Sequence, residues 1–244
     1  MAGGAYNRGD RTLVMADEKQ YMSYRSVLLF GLDMKTQTQA NKPPKPLYSL
    51  RKTPSQGRSK ATVEAILQAA AQLLLSLGYD KTSTNKIAEL AGVSIGSLYE
   101  YFPAKEAIFA EIRRREAQRH YALVMAKPLP TTLREMLRLH LSTYIELVRT
   151  NVDLHAALIS EVPHFAIVEA SSEIFSDYMQ FSIEFLSAHS GSLRPQRDVS
   201  MIVELMFRVV YSTIDDYALH APDRLEDAAV ADELLEMLEL YLLR

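Results

Sequence analysis

Two short apolar-faced segments, 84–91 and 95–101, meet at Ala91-Gly92-Val93-Ser94, and this corner constrains the chain more than any other part of it. Ser83 stands where a hydroxyl accepts from a free N–H of a first helical turn. Ile87, Leu90 and Ala91 then give the first segment one inward face. Gly92 falls where a helix end takes a left-handed residue. Val93 fills the corner, Ser94 is placed to cap the second segment, and that segment inserts Leu98 before stopping at Pro103. Two short helices joined by a glycine turn read as a helix-turn-helix. In DNA-binding versions of that unit the second helix enters the major groove.

The outward residues suit this role. Ile95, Gly96, Ser97, Tyr99 and Tyr101 are too many for so short a helix to bury. Ser97 offers a hydroxyl to a base edge or phosphate, and Ile95 offers apolar contact, for example to a thymine methyl. Tyr99 and Tyr101 carry phenols suited to phosphate oxygens. Gly96 costs the helix about 1 kcal/mol against alanine, a loss that makes sense if a phosphodiester chain comes close. Lys105 opens the next helix, where free N–H groups and the dipole already favour an anion. Thr84 and Lys86 open the preceding helix and face the opposite wall of a groove.

Charge supports a polyanion partner for the first part of the chain only. Residues 1–60 carry 11 Lys and Arg against 4 Asp and Glu, whereas residues 120–244 carry 9 against 19. Arg51, Lys52, Arg58 and Lys60 lie just before or at the start of the first long helix. They read either as an arm reaching a minor groove or as a solvated basic leader. The chain has no cysteine, which excludes disulfides, thiolate nucleophiles and cysteine-based metal sites. The six histidines show no four-residue helical pairing, so no metal site is expected. No Gly-rich phosphate loop, Gly-x-Ser-x-Gly or triad order is present, and neither an enzyme nor a cofactor is expected. No apolar run approaches the ~20 residues that span a bilayer. A cytoplasmic protein without a membrane partner is expected.

Residues 1–57 are interrupted repeatedly by Gly and Pro and are expected to form a mostly disordered extension. From Ser59 onward apolar residues recur at three- and four-residue steps, and no strand-like alternation persists, so the chain is expected to be all-α. Helices are expected near 59–77, 84–91, 95–101, 104–126, 131–149, 152–160, 165–189, 196–219 and 228–243. The stretches 196–219 and 228–243 each carry more apolar surface than one intramolecular face needs. They are expected to pair with their copies in a homodimer. Within 131–189, Tyr144, Leu147, Leu158, Phe165, Phe175, Tyr178 and Met179 are read as walls of a cavity, with ordinary core packing as the alternative for each.

From Arg58 to about Ile112 the chain resembles the DNA-binding domain of the TetR (tetracycline-repressor-like) transcriptional regulators. The matching features are ILQAAAQLLLSLGY, KTST, KIAELAGVS and GSLYEYFPAKEAIF. The resemblance implies a three-helix DNA-binding domain at 58–109, followed by a larger helical ligand-binding and dimerisation domain at 110–244. It also implies a repressor that binds a palindromic operator in double-stranded DNA as a dimer and is released by an unknown small-molecule effector. By motif position, Ser83, Thr84, Ser94, Ser97, Tyr99, Tyr101 and Lys105 match DNA-contacting positions. Ala104 departs from the pattern, where a capping Ser, Asn or Asp is usual. The alternative reading is a helical small-molecule-binding or interaction protein without DNA-binding activity.

Overall fold

The computed structural model describes residues 50–52, 57–128, 130–189, 191, 193 and 198–242, the side chains of 164–173 excepted. The described residues are helical almost throughout. The helices are α1 (Gly57–Leu77), α2 (Thr84–Leu90), α3 (Ile95–Tyr101), α4 (Lys105–Met125), α5 (Leu133–Thr150), α6 (Val152–Glu161), α7 (His164–Ala188), α8 (Val199–His220) and α9 (Ala228–Leu242). A 3-10 turn, Pro222–Glu226, which periodicity did not anticipate, joins the last two. The all-α expectation holds among the described residues. The expectation of disorder for residues 1–49 and 53–56 lies outside the described residues.

Two apolar cores organise the chain. The first gathers Val63, Ile66 and Leu74 of α1, Ile87 of α2, Leu98 of α3, and Phe102, Ile108 and Phe109 around the start of α4. Burying a side chain of this size contributes roughly 1.5–3 kcal/mol, enough to fix the two short helices, α2 and α3, that would not persist alone. The second core is built from α5, α7, α8 and α9, with Val124 from the far end of α4. α4 runs from one core to the other, and Ile112 still belongs to the first.

α6 breaks the simple division at residue 110. Its Leu154 and Leu158, with Val162 just after it, pack into the first core although they follow α5 in sequence. Leu158, expected on a cavity wall, is therefore a core residue of the helix-turn-helix unit. Its spacing alone could not show which of the two cores it would join.

The corners are fixed by caps and by glycine. Gly78 and Gly92 end α1 and α2 at φ +78° and +67°, a region that only glycine enters cheaply. Ser83 accepts from the Lys86 backbone N–H at 3.4 Å and Ser94 from that of Ser97 at 3.0 Å. Thr132 and Glu135 form a reciprocal capping box on α5, and Ala104 makes no side-chain cap on α4. Leu90, expected inward, is instead on the surface, and Ala88 takes the buried place beside Ile87.

A Cβ on Gly78 would sit 2.9 Å from Glu161 Oε2, the oxygen that accepts from the Tyr79 backbone N–H at 2.8 Å. Gly78→Ala therefore meets backbone strain and displaces this carboxylate. It is expected to lower stability by about 1–3 kcal/mol, read from the urea unfolding midpoint.

Candidate nucleic-acid interface and inner cavity

α3 presents its outer face as the sequence leads one to expect, with one correction. Leu98 is fully buried beneath it, Ile95 and Tyr99 are each 39% exposed, and Ser94 and Gly96 are exposed. Ser97 is half-buried, and its hydroxyl meets that of Ser94 at 2.9 Å. Tyr99 Oη lies 3.0 Å from Thr84 Oγ1, so the two short helices are also joined on their solvent side. Tyr101 is the correction: it is 7% exposed and belongs to the first core. One turn of helix places residue 101 nearly over Leu98, so its ring turns inward and its phenol is not offered to a phosphate.

The surrounding basic residues divide into two kinds. Arg58, Lys60 and Lys86 are exposed, although Lys86 Nζ also donates to the Lys81 carbonyl at 2.9 Å. Lys105 is drawn inward. Its ammonium donates to the carbonyls of Tyr79 at 2.9 Å and Thr82 at 3.2 Å, and it lies 3.8 Å above the Tyr79 ring. The residue expected to hold a phosphate is thus the clamp that closes the α1–α2 corner onto α4. Tyr79 Oη donates in turn to Glu106 at 2.6 Å.

Part of the leader is also docked, which composition did not reveal. Leu50 packs against the first core. The Arg51 backbone N–H donates to the Tyr101 carbonyl at 2.8 Å, and its guanidinium donates to the Tyr99 carbonyl at 3.1 Å. These are carbonyls at the end of α3 that no later helical residue reaches. Arg51 therefore steadies the last turn of the outward helix and brings a cation beside Tyr99.

The second core holds a partly open cavity of about 40 Å³. Tyr144 and Tyr178 line it as expected, together with His120, His140, Phe207 and Tyr211. The other expected wall residues lie elsewhere. Leu147 is buried in the core but away from the cavity, Met179 packs on the outside of that core, and Phe175 is on the surface with its ring 5.4 Å from that of Phe207. The Phe165 side chain lies outside the described residues. Burial pushes His120 down to about 4 and His140 down to about 3, so both imidazoles are neutral. Burial also raises the phenols of Tyr178 and Tyr211, which keep their protons.

A half-buried charged cluster, which residue order alone does not bring together, joins the two cores. Asp215 Oδ1 accepts from Tyr144 Oη at 2.6 Å and from His155 Nε2 at 2.9 Å. Arg113 donates to His155 Nδ1 at 3.1 Å and to Glu116 at 3.1 Å. A guanidinium only donates, so His155 accepts at Nδ1 and carries its proton on Nε2. Burial works against the charge of Asp215, but His155, Arg113 and Tyr144 together hold its carboxyl below the usual range. The four elements involved, α4, α5, α6 and α8, lie far apart in sequence. The partners of Asp215 come from 60 and 71 residues away, beyond the reach of any local motif.

Comparison with known proteins agrees with this geometry. Residues 66–112 match the model of the bacterial regulatory proteins of the tetR family. The chain is 23% identical over 181 residues to the fatty acid metabolism regulator protein of Bacillus subtilis, covering 71% of this chain and 91% of that one. It is 26% identical over 183 residues to the HTH-type transcriptional repressor KstR2 of Mycolicibacterium smegmatis, covering 70% and 85%. Among solved structures, the transcriptional regulator FadR from Bacillus subtilis in complex with stearoyl-CoA superposes with a TM-score of 0.55 at 22% identity. That match covers 72% of this chain and 96% of that one. The likeness to this structure shows a shared fold.

Two expectations follow. Lys105→Ala removes two hydrogen bonds from a cation and is expected to lower the unfolding free energy by about 1.5–3 kcal/mol, seen as an earlier urea midpoint. His140 takes up no proton in the folded chain until about pH 3, whereas the unfolded chain protonates near its ordinary 6.5. The folded state thus loses stability as pH falls below 6.5. His140→Phe is expected to flatten that loss relative to the parent, in urea midpoints measured across this window.

Proposed function

Because this chain belongs to the tetR family of bacterial regulatory proteins, we propose that it is a repressor whose homodimer binds a palindromic operator and leaves it when a small molecule enters the inner cavity. The observation that carries the reading is the outer face of α3. Ile95, Gly96 and Tyr99 stand in solvent on a helix pinned from behind by Leu98 and capped at both ends by Ser94 and Arg51. A helix fixed in this way enters a major groove without first being ordered. Ser94, Ile95, Gly96, Ser97 and Tyr99 face the bases and nearest phosphates. Thr84 and Lys86 face the opposite strand, Ser83 caps the helix that carries them, and Arg58, Lys60 and Arg51 add positive charge beside them.

A seven-residue helix reads few base pairs, so affinity requires two copies. α8 and α9 supply the surface for pairing. Met201 and Leu205 on α8 are 59% and 40% exposed, and Met237 and Leu240 on α9 are 46% and 64% exposed. Each helix also buries another face in the second core. Pairing across a two-fold axis covers these residues and sets the two α3 helices about one DNA turn, ~34 Å, apart.

Release runs through α6 in this reading. The cavity meets Tyr144, Tyr144 holds Asp215, and Asp215 holds His155 on α6. α6 buries Leu158 in the core beneath α3 and ends at Glu161, which holds Tyr79. A ligand that displaces Tyr144 therefore favours a different placing of the DNA-binding unit and lowers operator affinity by its preference for that state. Among the described residues no helix is long and apolar enough to cross a membrane, and the cytoplasm, where the operator is, is the proposed location. No catalytic role is proposed.

Tyr99→Ala is expected to weaken binding to DNA from upstream of the chain's own coding region by tenfold or more while leaving the urea midpoint close to the parent's. Fluorescence anisotropy at fixed salt reads the change, and unchanged affinity contradicts the site. Met237→Glu with Leu240→Glu is expected to turn a particle of twice the 27.5 kDa chain mass into one of that mass by light scattering, with loss of operator binding.

A further inference from the structure

The cavity wall has its hydrogen bonds accounted for at every polar side chain but one. Thr143 gives its hydroxyl proton to the Leu139 carbonyl at 2.7 Å, so at 3.2 Å it accepts from His120 Nε2. His120 Nδ1 is then left to accept from Tyr211 Oη at 3.3 Å. Tyr144 donates to Asp215, and Ser182 donates to the Tyr178 carbonyl at 2.9 Å. His140 stands apart. The Tyr178 hydroxyl lies 2.6 Å from its Nδ1. A buried phenol with no other acceptor gives its proton to the imidazole. A neutral imidazole carries one N–H, which this bond assigns to Nε2. Nε2 is buried and has no partner among the described residues.

The rest of the wall says what meets that N–H. It is lined by Leu, Met, Val and aromatic side chains, and no Lys, Arg, Asp or Glu lines it. The Arg113 guanidinium, whose charge is felt by Tyr144, Tyr211 and His120, does not line the cavity and is bonded to Glu116 and His155. A full charge brought here would lose its water without gaining a counter-ion. A plain hydrocarbon would leave the N–H of His140 unmet, a loss comparable to a hydrogen bond. At about 40 Å³ the cavity holds only two or three water-sized groups. A larger guest must push apart α5, α7 and α8, the helices that also carry Tyr144 and Asp215.

We propose that this cavity takes an uncharged, largely apolar molecule bearing one buried hydrogen-bond acceptor, a carbonyl or ether oxygen, which accepts from His140 Nε2–H. The proposal rests on the reading of the cavity as an effector site and names the class of effector. His140 selects for the acceptor, and the uncharged wall selects against carboxylates and ammonium ions.

Binding of decan-2-one, n-decane, decanoate and decylammonium to the full-length protein near neutral pH, by titration calorimetry and thermal shift, tests it. The ketone is expected to bind about three- to tenfold more tightly than the alkane, the span of one net hydrogen bond, and the two ions more weakly than either. In His140→Phe the alkane is expected to bind as before and the preference for the ketone to vanish. A second reading needs no variant: in protein labelled with ¹⁵N-imidazole, the Nε2–H proton of His140 is expected to move downfield with the ketone and to stay with the alkane. Equal or tighter binding of either ion, a ketone preference that survives in His140→Phe, an unmoved Nε2–H signal, or no binding of the ketone each overturns the proposal. Operator release is measured separately on the DNA complex. A ketone that binds through His140 but leaves that complex intact upholds the ligand class and removes the effector reading instead.

Discussion

Asp215 is a half-buried carboxylate in the seam between two apolar cores, and the architecture turns on how its charge is satisfied. It accepts from Tyr144 and His155, and His155 is held on its other side by Arg113. Removing one member leaves the others buried and unpaired, which for groups of this kind costs far more than the pair contributes. The arrangement is therefore hard to loosen by degrees. It obliges α6 to serve two structures. The helix is tied to α8 by its histidine, while Leu154 and Leu158 sit in the core that supports α3. The junction is a packed and bonded body, not a linker, and a shift of Tyr144 on the cavity wall has a continuous path to Tyr79 at the base of the DNA-binding unit.

At the other end of that path, the helix-turn-helix is small and owes its rigidity to its fixings. α2 and α3 are seven residues each, too short to persist alone. Leu98 anchors α3 from below, Ser94 closes its first turn, and Arg51 closes its last. Lys105 performs a comparable task one corner away, on the carbonyls of Tyr79 and Thr82. Lys105 is thus taken up by carbonyls of the protein itself, whereas Arg51 and Lys86 each hold one carbonyl while remaining exposed.

The short-range features were legible from residue order. Caps at Ser83 and Ser94, the left-handed glycine at 92, the inward Leu98 and the outward Ile95 and Tyr99 depend on neighbours within a turn or two, and the structure has each of them in place. What depended on distant partners was not legible. Tyr101 lies nearly over Leu98 and joins the first core, while Ala88 is buried beside Ile87 and Leu90 stays outside. Leu158 looked like any apolar helix residue until α6 was placed against the first core. His155 and Asp215 are sixty residues apart, and nothing local to either marks the other as its partner. Nothing in residue order set His140 apart from the other five histidines, and only the fold shows that one of its nitrogens is buried unmet beside a cavity.

The account stands on the outer surface of α3 lying in a groove of DNA, twice, on one side of the duplex. Hydroxyl-radical footprinting of the full-length protein on DNA upstream of its own coding region addresses this directly. The account predicts two protected patches related by a dyad, their centres about one helical turn apart, with protection lost when Tyr99 is replaced by alanine. Uniform weak protection along the fragment, or a footprint unchanged in that variant, would contradict it.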